Sequence, residues 1–273
     1  MKLAVIGAGN MGGAMLGGAL KARLVAPEDV AATVRSEAHA ADLRAKYGVN
    51  ATAGGNAEAA AGADVIMLAV KPNALAKVVK EIGPALRSDQ ILISLAAAVP
   101  LQAIEANAGI ELAVFRAMPN IPVVVEEGAT GLTANKHATA AQRDLVERLF
   151  RAVGVACWVE EEMMDAVTAL SGSGPAYVYM VIEAMIAGGL KMGLSREISA
   201  RLAEQTVLGA AKLVRESGLH PAVLRDQVIT PGGVTIAAIH ELERHGLRAM
   251  LISAIETATI HSRRRAASLG EKQ

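Results

Sequence analysis

The chain of 273 residues carries 27 basic and 27 acidic side chains, is 52% hydrophobic and 2% aromatic, and contains one cysteine. Its net charge of zero excludes a broad basic field for holding nucleic-acid phosphates, and few aromatic rings are available for stacking bases. The lone Cys157 can form neither an internal disulfide nor a cysteine-rich metal site, which favours a reducing cytoplasm, and its apolar neighbours predict a buried structural thiol.

Short β-type segments alternate with alanine-rich helical segments over the first half of the chain. Helix signals lie between them, with Ser36 and Asn56 as N-caps, Gly48 as a stop and Pro100 in a first turn. This alternation predicts an α/β fold with a doubly wound, mostly parallel sheet. The predicted strands are Leu3–Ile6, Val30–Val34, Val49–Thr52, Asp64–Val70, Ile91–Leu95, Leu112–Arg116, Ala129–Thr133 and Val155–Val159.

The pattern changes after Glu160, where strand candidates disappear. Three long helical segments follow, at Gly174–Met192, Ser195–Ser217 and Leu247–Arg265. The sequence therefore predicts two domains, an α/β domain over residues 1–160 and an all-α domain over residues 161–273. The apolar face of Tyr177–Leu190 is broad, which favours a homodimer through the helical domain. The alternative is that this face packs only on the first domain of its own chain.

The sequence predicts no export signal, no membrane-spanning helix and no metal site. Residues 3–20 form an uncharged run containing six glycines, a composition that favours a turn and a closely packed helix over an export signal. No other stretch is long and apolar enough for a membrane-spanning helix, which needs about 18 residues. The six histidines form no recognisable ligand pair. We therefore expect a cytoplasmic protein with no membrane segment and no metal.

A glycine motif follows the first predicted strand. The residues Gly7, Gly9, Asn10, Met11 and Gly12 belong to a G-x-G-x-x-G run that opens a helix. In that context the first glycine permits a tight turn, the second lets the backbone approach a pyrophosphate, and the third lets the helix lie close to the sheet. The free N–H groups at the helix start bind the phosphates. The motif predicts a Rossmann domain that binds a dinucleotide.

The end of the second strand indicates which dinucleotide is bound. An NAD site usually places an acidic residue there to bond the ribose 2′-hydroxyl, whereas this chain has Arg35, flanked by Thr33 and Ser36. An arginine fork grips a 2′-phosphate and the hydroxyls can donate to it. We expect NADP(H), with NAD(H) possible. In the alternative interpretation Arg35 is a solvated surface charge and Glu37 bonds the ribose.

Further cofactor contacts are expected at strand ends, because doubly wound folds bind ligands at the carboxyl ends of their strands. The candidates are Ala69, Val70, Lys71 and Pro72 after the fourth strand, and Ala96 and Ala97 after the fifth. Lys71 is equally well explained as a solvated loop charge. Three other segments resemble substrate loops, namely residues 118–122, residues 170–177 and residues 226–236, where Pro-Gly-Gly precedes a helix.

Taken together, these motifs resemble the pyrroline-5-carboxylate reductase family over essentially the whole chain. The resemblance implies a Rossmann domain followed by a helical domain that interlocks between subunits, in dimers that assemble up to decamers. It implies NADPH-dependent hydride transfer to the cyclic imine of 1-pyrroline-5-carboxylate, giving L-proline as the last step of proline biosynthesis. It also implies cofactor contacts from Asn56, Lys71 and Pro72.

The resemblance also implies a substrate site. Thr230, Gly232, Gly233, Val234 and Thr235 would surround the substrate, with backbone N–H groups on its carboxylate and the Thr235 hydroxyl on the ring nitrogen. Family members often carry serine where this chain has Thr230, a change that retains the hydroxyl.

Two other functions compete with this prediction. The first is a related reductase that acts on another imine or on a hydroxy acid. A β-hydroxyacid dehydrogenase would carry a catalytic lysine in its helical domain, for which Lys191 is the nearest candidate, although it lies in the wrong motif. A non-catalytic NADP(H) sensor would keep the glycine motif but would not need the Pro-Gly-Gly-Val-Thr segment.

Overall fold

A computed structural model describes residues 1–270 of the chain. Its contacts divide them into two units: Met1–Ser173 together with the C-terminal segment from Thr257, and Gly174–Glu256. The sequence predicts a cofactor domain over residues 1–160 and a substrate and dimerisation domain over residues 161–273. That division stays a prediction, because contacts within the chain do not show which residues bind cofactor, substrate or partner.

The first unit is built on one eight-stranded sheet in the order β3-β2-β1-β4-β5-β6-β7-β8. All neighbouring pairs are parallel except β6 and β7. The chain order reverses between β1 and β4, where a doubly wound sheet opens a crevice at its carboxyl edge. The strands are β1 Leu3–Ile6, β2 Val30–Val34, β3 Asn50–Ala53, β4 Val65–Leu68, β5 Ile91–Ser94, β6 Ala113–Met118, β7 Gly128–Ala134 and β8 Gly154–Trp158.

All eight strands correspond to predicted ones and differ only at their ends, where assignments commonly shift by one or two residues. The central strands β1, β4 and β5 are buried on both faces, and successive side chains of each strand point to opposite sides of the sheet. In β1, Leu3 and Val5 join the apolar layer that contains Met15 and Phe150. Ala4 and Ile6 join the opposite layer, with Leu68 and Val79. The prediction of an α/β fold followed by helices is confirmed.

Twelve α-helices lie within residues 1–270. Those before residue 174 are α1 Asn10–Lys21, α2 Glu37–Tyr47, α3 Asn56–Ala61, α4 Pro72–Ile82, α5 Leu101–Ala108, α6 Ala140–Arg151 and α7 Met164–Val167, the last followed by a π-helical turn at Thr168–Gly172. The others are α8 Gly174–Lys191, α9 Arg196–Ser217, α10 Pro221–Gln227, α11 Val234–Arg244 and α12 Leu247–Gly270. None of the helices in this part of the chain is both long and apolar enough to cross a membrane.

The predicted helix ends hold in part. Ser36 caps α2 and Gly48 ends it in the left-handed conformation, as predicted. The prediction of Asn56 as an N-cap is wrong, because Gly55, with φ of +77°, occupies that position and Asn56 begins α3. Pro100 caps α5 and lies just before its first turn.

The predicted burial of Cys157 is also wrong. Cys157 is an exposed free thiol in β8, which forms the edge of the sheet. Side chains alternate along this strand, so that Cys157 shares its outward face with Val155, whose exposed fraction is 48%. The inward face carries Ala156 and Trp158, which pack against the core.

The helices of the second unit leave much apolar surface uncovered. No residue of α8 is buried within the single chain, although the helix is rich in aliphatic side chains. Tyr179, Met180 and Met185 are exposed on α8, and Leu202 and Leu208 are exposed on α9. A surface of this kind is typical of a protein–protein interface.

Candidate dinucleotide site and substrate loop

The turn after β1 is held by the neighbouring strand. The N–H groups of Gly7 and Ala8 both donate to the Thr33 carbonyl, at 3.0 and 2.9 Å. Gly7 has φ of +82°, a conformation that side chains disfavour. A Cβ at this residue would lie 2.7 Å from Val70 Cγ1 and 3.2 Å from the Ala69 carbonyl oxygen. The turn therefore requires glycine, and the ends of β2 and β4 flank it.

The other two glycines of the motif differ in their surroundings. A Cβ at Gly12 would lie 2.8 Å from the Ala69 Cβ and 3.1 Å from the Gly7 carbonyl oxygen, so that α1 packs directly on the sheet edge. A Cβ at Gly9 would meet nothing closer than the Gly7 carbonyl oxygen at 4.0 Å. Gly9 is exposed and is the N-cap of α1. Its missing side chain leaves open space in front of the helix.

That open space faces donors without helical partners. The first i to i−4 bond of α1 is donated by the Gly13 N–H to the Gly9 carbonyl, at 2.7 Å. The N–H groups of Asn10, Met11 and Gly12 precede it, and helix geometry gives them no acceptor within the helix. A helix start of this kind binds phosphate. The glycine loop therefore fits a pyrophosphate without any rearrangement of the backbone.

The end of β2 brings three predicted site residues together. The hydroxyl of Thr33, which is 2% exposed, donates to Asn56 Oδ1 at 2.7 Å. Arg35 is exposed and takes part in none of the ion pairs among residues 1–270. Glu37, by contrast, is bonded to Arg44 through a salt bridge. Of the two charged residues that follow β2, Arg35 is the one without an ion-pair partner in the described part of the chain.

Ser36 plays a different part. Its hydroxyl accepts the His39 N–H at 3.4 Å as the cap of α2. Its lone pairs are therefore partly occupied, but its hydroxyl proton stays free to donate.

The remaining predicted cofactor residues follow β4 and β5. Ala69 and Val70 lie against the glycine loop. Lys71 is the exposed N-cap of α4, and Pro72 is the first residue of that helix. Ala96 is buried and donates its N–H to Ser94 Oγ at 3.2 Å, and the half-buried Ala97 follows. The side chains beside this crevice are small, which leaves room for a ligand.

Ala98 has an unusual backbone in the loop after β5. It has φ of +61° although it is not glycine, and it is 4% exposed. The far end of the loop is held by Glu161, whose Oε1 accepts from the Leu101 N–H at 2.7 Å and from Arg116 at 2.8 Å. The sequence carries no signal for this conformation. Surrounding structure commonly imposes such strain near functional sites.

We expect Ala98→Gly to raise the free energy of unfolding by about 0.5–1 kcal/mol. Glycine removes the cost of the left-handed conformation for alanine, which is about 1–2 kcal/mol, and adds back part of it as chain entropy. Chemical denaturation measures the change. Ala106→Gly, on the exposed side of α5, is the matched control and should lose about 0.5–1 kcal/mol. Equal losses in both variants would contradict the expectation.

The Pro-Gly-Gly segment of the second unit forms a second helix start. Gly232 has φ of +68°, and Gly233 is the N-cap of α11. A Cβ at Gly233 would lie 2.3 Å from Thr230 Oγ1, so the threonine packs closely over this glycine. The Gly233 N–H already donates to the Thr230 carbonyl at 3.0 Å. The remaining helix-start donors are therefore those of Val234, Thr235 and Ile236, the first three residues of α11.

Two of the segments that the sequence singled out are in contact. Asn120 donates from Nδ2 to the Ser171 carbonyl at 2.9 Å and accepts the Ala129 N–H on Oδ1 at 2.9 Å. It is 8% exposed. Ser171 lies in the π-helical turn Thr168–Gly172, a feature frequent at functional sites. Asn120 thus holds that turn against the end of β6 and the start of β7.

Sequence reasoning missed one polar neighbour of the dinucleotide site. Asn56 Nδ2 donates to Glu81 Oε1 at 3.0 Å, from α3 to α4. The two residues are 25 positions apart, and no local motif links them. Within residues 1–270 no group of three or more His, Cys, Asp or Glu side chains is arranged to hold a metal ion.

The fold and the glycine loop define the class of the protein. A parallel sheet with its order reversed between β1 and β4, and an open helix start at that point, is the site of a dinucleotide-binding oxidoreductase. Residues 2–98 match the family model described as NADP oxidoreductase, coenzyme F420-dependent. Residues 161–265 match the model described as pyrroline-5-carboxylate reductase dimerisation.

Whole-chain comparisons narrow the class to one family. The pyrroline-5-carboxylate reductase of Methanosarcina acetivorans is 42% identical over 271 residues, covering 99% of this chain and 98% of the relative. The solved structure of the reductase from Coxiella burnetii has a TM-score of 0.92 at 38% identity, covering 97% and 98% of the two chains. That of Plasmodium falciparum pyrroline carboxylate reductase with NADP bound has a TM-score of 0.87 at 32% identity, covering 97% and 98%. The chain belongs to the pyrroline-5-carboxylate reductase family.

Proposed function

We propose that the chain reduces 1-pyrroline-5-carboxylate to L-proline with NADPH, in the last step of proline biosynthesis. The observation that carries the proposal is the pairing, in one chain of this family, of an open glycine loop with a second helix start at Gly233–Thr235. The first suits a dinucleotide pyrophosphate and the second suits a small carboxylate. NADPH consumption in the presence of pyrroline-5-carboxylate tests the proposal. NADPH binding without turnover of this imine would refute it.

The proposed substrate site uses the start of α11. The N–H groups of Val234 and Thr235 bind the carboxylate, aided by the helix dipole. Gly232 and Gly233 provide the turn, and Thr230 packs over Gly233 and limits the pocket. The Thr235 hydroxyl donates to, or accepts from, the ring nitrogen and so orients the imine. A threonine hydroxyl is a poor acid by itself, so its contribution is mainly positional.

The chemistry requires little else from the protein. When bound, the nicotinamide would supply a hydride to ring carbon C5, and a proton from water would complete the amine of proline. The proposed cofactor contacts are those of the glycine loop, Thr33, Arg35, Ser36 and Asn56, with Ala69–Pro72 and Ala96–Ala97 along the crevice. Small side chains along the crevice exclude little volume and so leave room for the nicotinamide.

We expect Arg35→Ala to raise KM for NADPH by about 10-fold or more and to change KM for NADH by less than about twofold. A charged hydrogen bond contributes roughly 1.5–3 kcal/mol, and only NADPH carries the 2′-phosphate that makes it. The support is the unpaired Arg35 at the end of β2, beside a Glu37 that is bonded to Arg44. Steady-state kinetics with both cofactors measure the ratio.

Glu37→Ala is the matched control for this prediction. If Glu37 bonded the ribose, its removal would raise KM for NADH and leave Arg35 without a role. Equal effects of Arg35→Ala on the two cofactors would contradict the NADPH preference.

The proposed biological unit is a homodimer formed through the helical domain, with residues 1–160 binding the cofactor and residues 161–273 the substrate and the partner subunit. The exposed aliphatic surface of α8 and the match to the dimerisation model support it. Assembly of dimers into decamers is part of the proposal, and light scattering at several concentrations tests it. We also propose a cytoplasmic location without membrane or nucleic-acid partners, in keeping with zero net charge and a single cysteine.

A further inference from the structure

We propose that Glu81 is a specificity-determining residue of the adenosine-ribose subsite, where it disfavours a 2′-phosphate and so limits the preference for NADPH over NADH. The inference rests on the proposed function only in so far as that function places a nicotinamide dinucleotide in the glycine loop. It concerns a residue of α4 that neither the glycine motif nor the strand ends point to.

Three side chains form a hydrogen-bonded series that starts at the end of β2. The Thr33 hydroxyl donates to Asn56 Oδ1 at 2.7 Å, and Asn56 Nδ2 donates to Glu81 Oε1 at 3.0 Å. The Gly7 N–H of the glycine loop also donates to Thr33 Oγ1, at 3.4 Å. In a dinucleotide-binding fold the end of the second strand reads the ribose 2′ position. Two hydrogen bonds therefore link the Glu81 carboxylate to the strand end that reads that position.

The series fixes the orientation of the Asn56 amide. A primary amide has two donor protons and two acceptor lone pairs, of which Thr33 and Glu81 each occupy one. Because the carboxylate can only accept, Nδ2 must face Glu81 and Oδ1 must face Thr33. One proton and one lone pair of Asn56 remain for the ribose.

The charges around the subsite have opposite effects on a 2′-phosphate. Arg35 brings a positive charge and Glu81 a negative one, and neither takes part in an ion pair within residues 1–270. Lys77 and Lys80 lie on the same helix as Glu81, four residues and one residue before it. Glu81 is exposed, so its repulsion of a phosphate is reduced by water and salt but not abolished. NADH, which has no 2′-phosphate, does not experience it.

The test is Glu81→Gln, which keeps an oxygen acceptor for Asn56 and removes the charge. We expect the Kd for NADP⁺ to fall by about threefold or more, while the Kd for NAD⁺ changes by less than about twofold, as a single screened charge predicts. Calorimetric titration of the apoprotein at low and high salt gives both constants. The gain for NADP⁺ should shrink as the salt concentration rises.

Two further variants make the result decisive. Asp42→Asn removes one negative charge from the exposed side of α2 and should leave the NADP⁺ to NAD⁺ ratio unchanged. Glu81→Leu removes the acceptor as well, so Asn56 loses its fixed orientation and the Kd should rise for both dinucleotides. Thermal unfolding verifies that each variant is folded.

The inference is overturned if Glu81→Gln shifts both dinucleotides equally, or if Asp42→Asn gives the same shift. It is also overturned if Glu81→Leu binds NADP⁺ and NAD⁺ with the same Kd values as the unmodified protein. Binding of NADP⁺ and NAD⁺ involves no imine, so these results can be read even if pyrroline-5-carboxylate is not reduced. Loss of the proposed reaction with intact dinucleotide binding would therefore refute the proposed function alone.

Discussion

Thr235→Ala should lower kcat/KM for pyrroline-5-carboxylate by about 10- to 100-fold while leaving dinucleotide binding unchanged. The hydroxyl lies in the first turn of α11, and its proposed partner is the ring nitrogen, which becomes more electron-rich as the hydride arrives. A hydrogen bond to a charged group contributes roughly 1.5–3 kcal/mol, which corresponds to that loss. Steady-state kinetics give kcat and KM separately.

Two variants distinguish an orienting hydroxyl from a structural one. Thr235→Ser keeps the hydroxyl and should recover most of the activity. Thr206→Ala removes a hydroxyl from the exposed side of α9 and should leave kinetics unchanged. Among residues 1–270 this hydroxyl bonds to the Leu202 carbonyl of its own helix. If Thr235→Ala retained full kcat/KM, or if Thr235→Ser were as poor as alanine, the assigned role of this hydroxyl would be incorrect.

Gly9→Ala should weaken NADPH binding by at least about 10-fold without a large loss of stability. A Cβ at Gly9 has no neighbour closer than 4.0 Å, so the folded chain accommodates it. The same Cβ would occupy the space in front of the helix N–H groups, where the pyrophosphate binds. Losing even one charged hydrogen bond of roughly 1.5–3 kcal/mol gives the expected change. Fluorescence titration with NADPH and thermal unfolding measure the two quantities.

The neighbouring glycines provide matched comparisons. Gly12→Ala should lose about 1–3 kcal/mol of stability as well as binding, because its Cβ would lie 2.8 Å from the Ala69 Cβ. Gly13→Ala should keep both stability and NADPH binding, because its Cβ would lie 3.9 Å from the nearest atom, the Ala8 carbonyl oxygen. Normal NADPH binding by Gly9→Ala, or equal behaviour of all three variants, would contradict the assignment of the glycine loop.

Local patterns were sufficient for the secondary structure. All eight strands and the three long helices appear where the sequence pattern places them. For the strands, burial on one or both faces selects the side chains of a whole element. Ser36 and Gly48 end α2 as predicted, since capping depends on residues one turn apart. One error arose where contacts distant in sequence overrode a local signal. Asn56 is a good capping residue, but Gly55 takes that position and frees its side chain for Thr33.

The sequence by itself determined the class of the fold, the position of the dinucleotide loop and the segment that starts α11, because each depends on residues close together in the chain. Only the tertiary structure decided which partners these residues have. It joins Asn56 to Glu81, ties Asn120 to the π-helical turn through Ser171, and exposes Cys157 at the edge of the sheet. Such contacts join residues far apart in sequence, so their distances follow from packing rather than from any local preference.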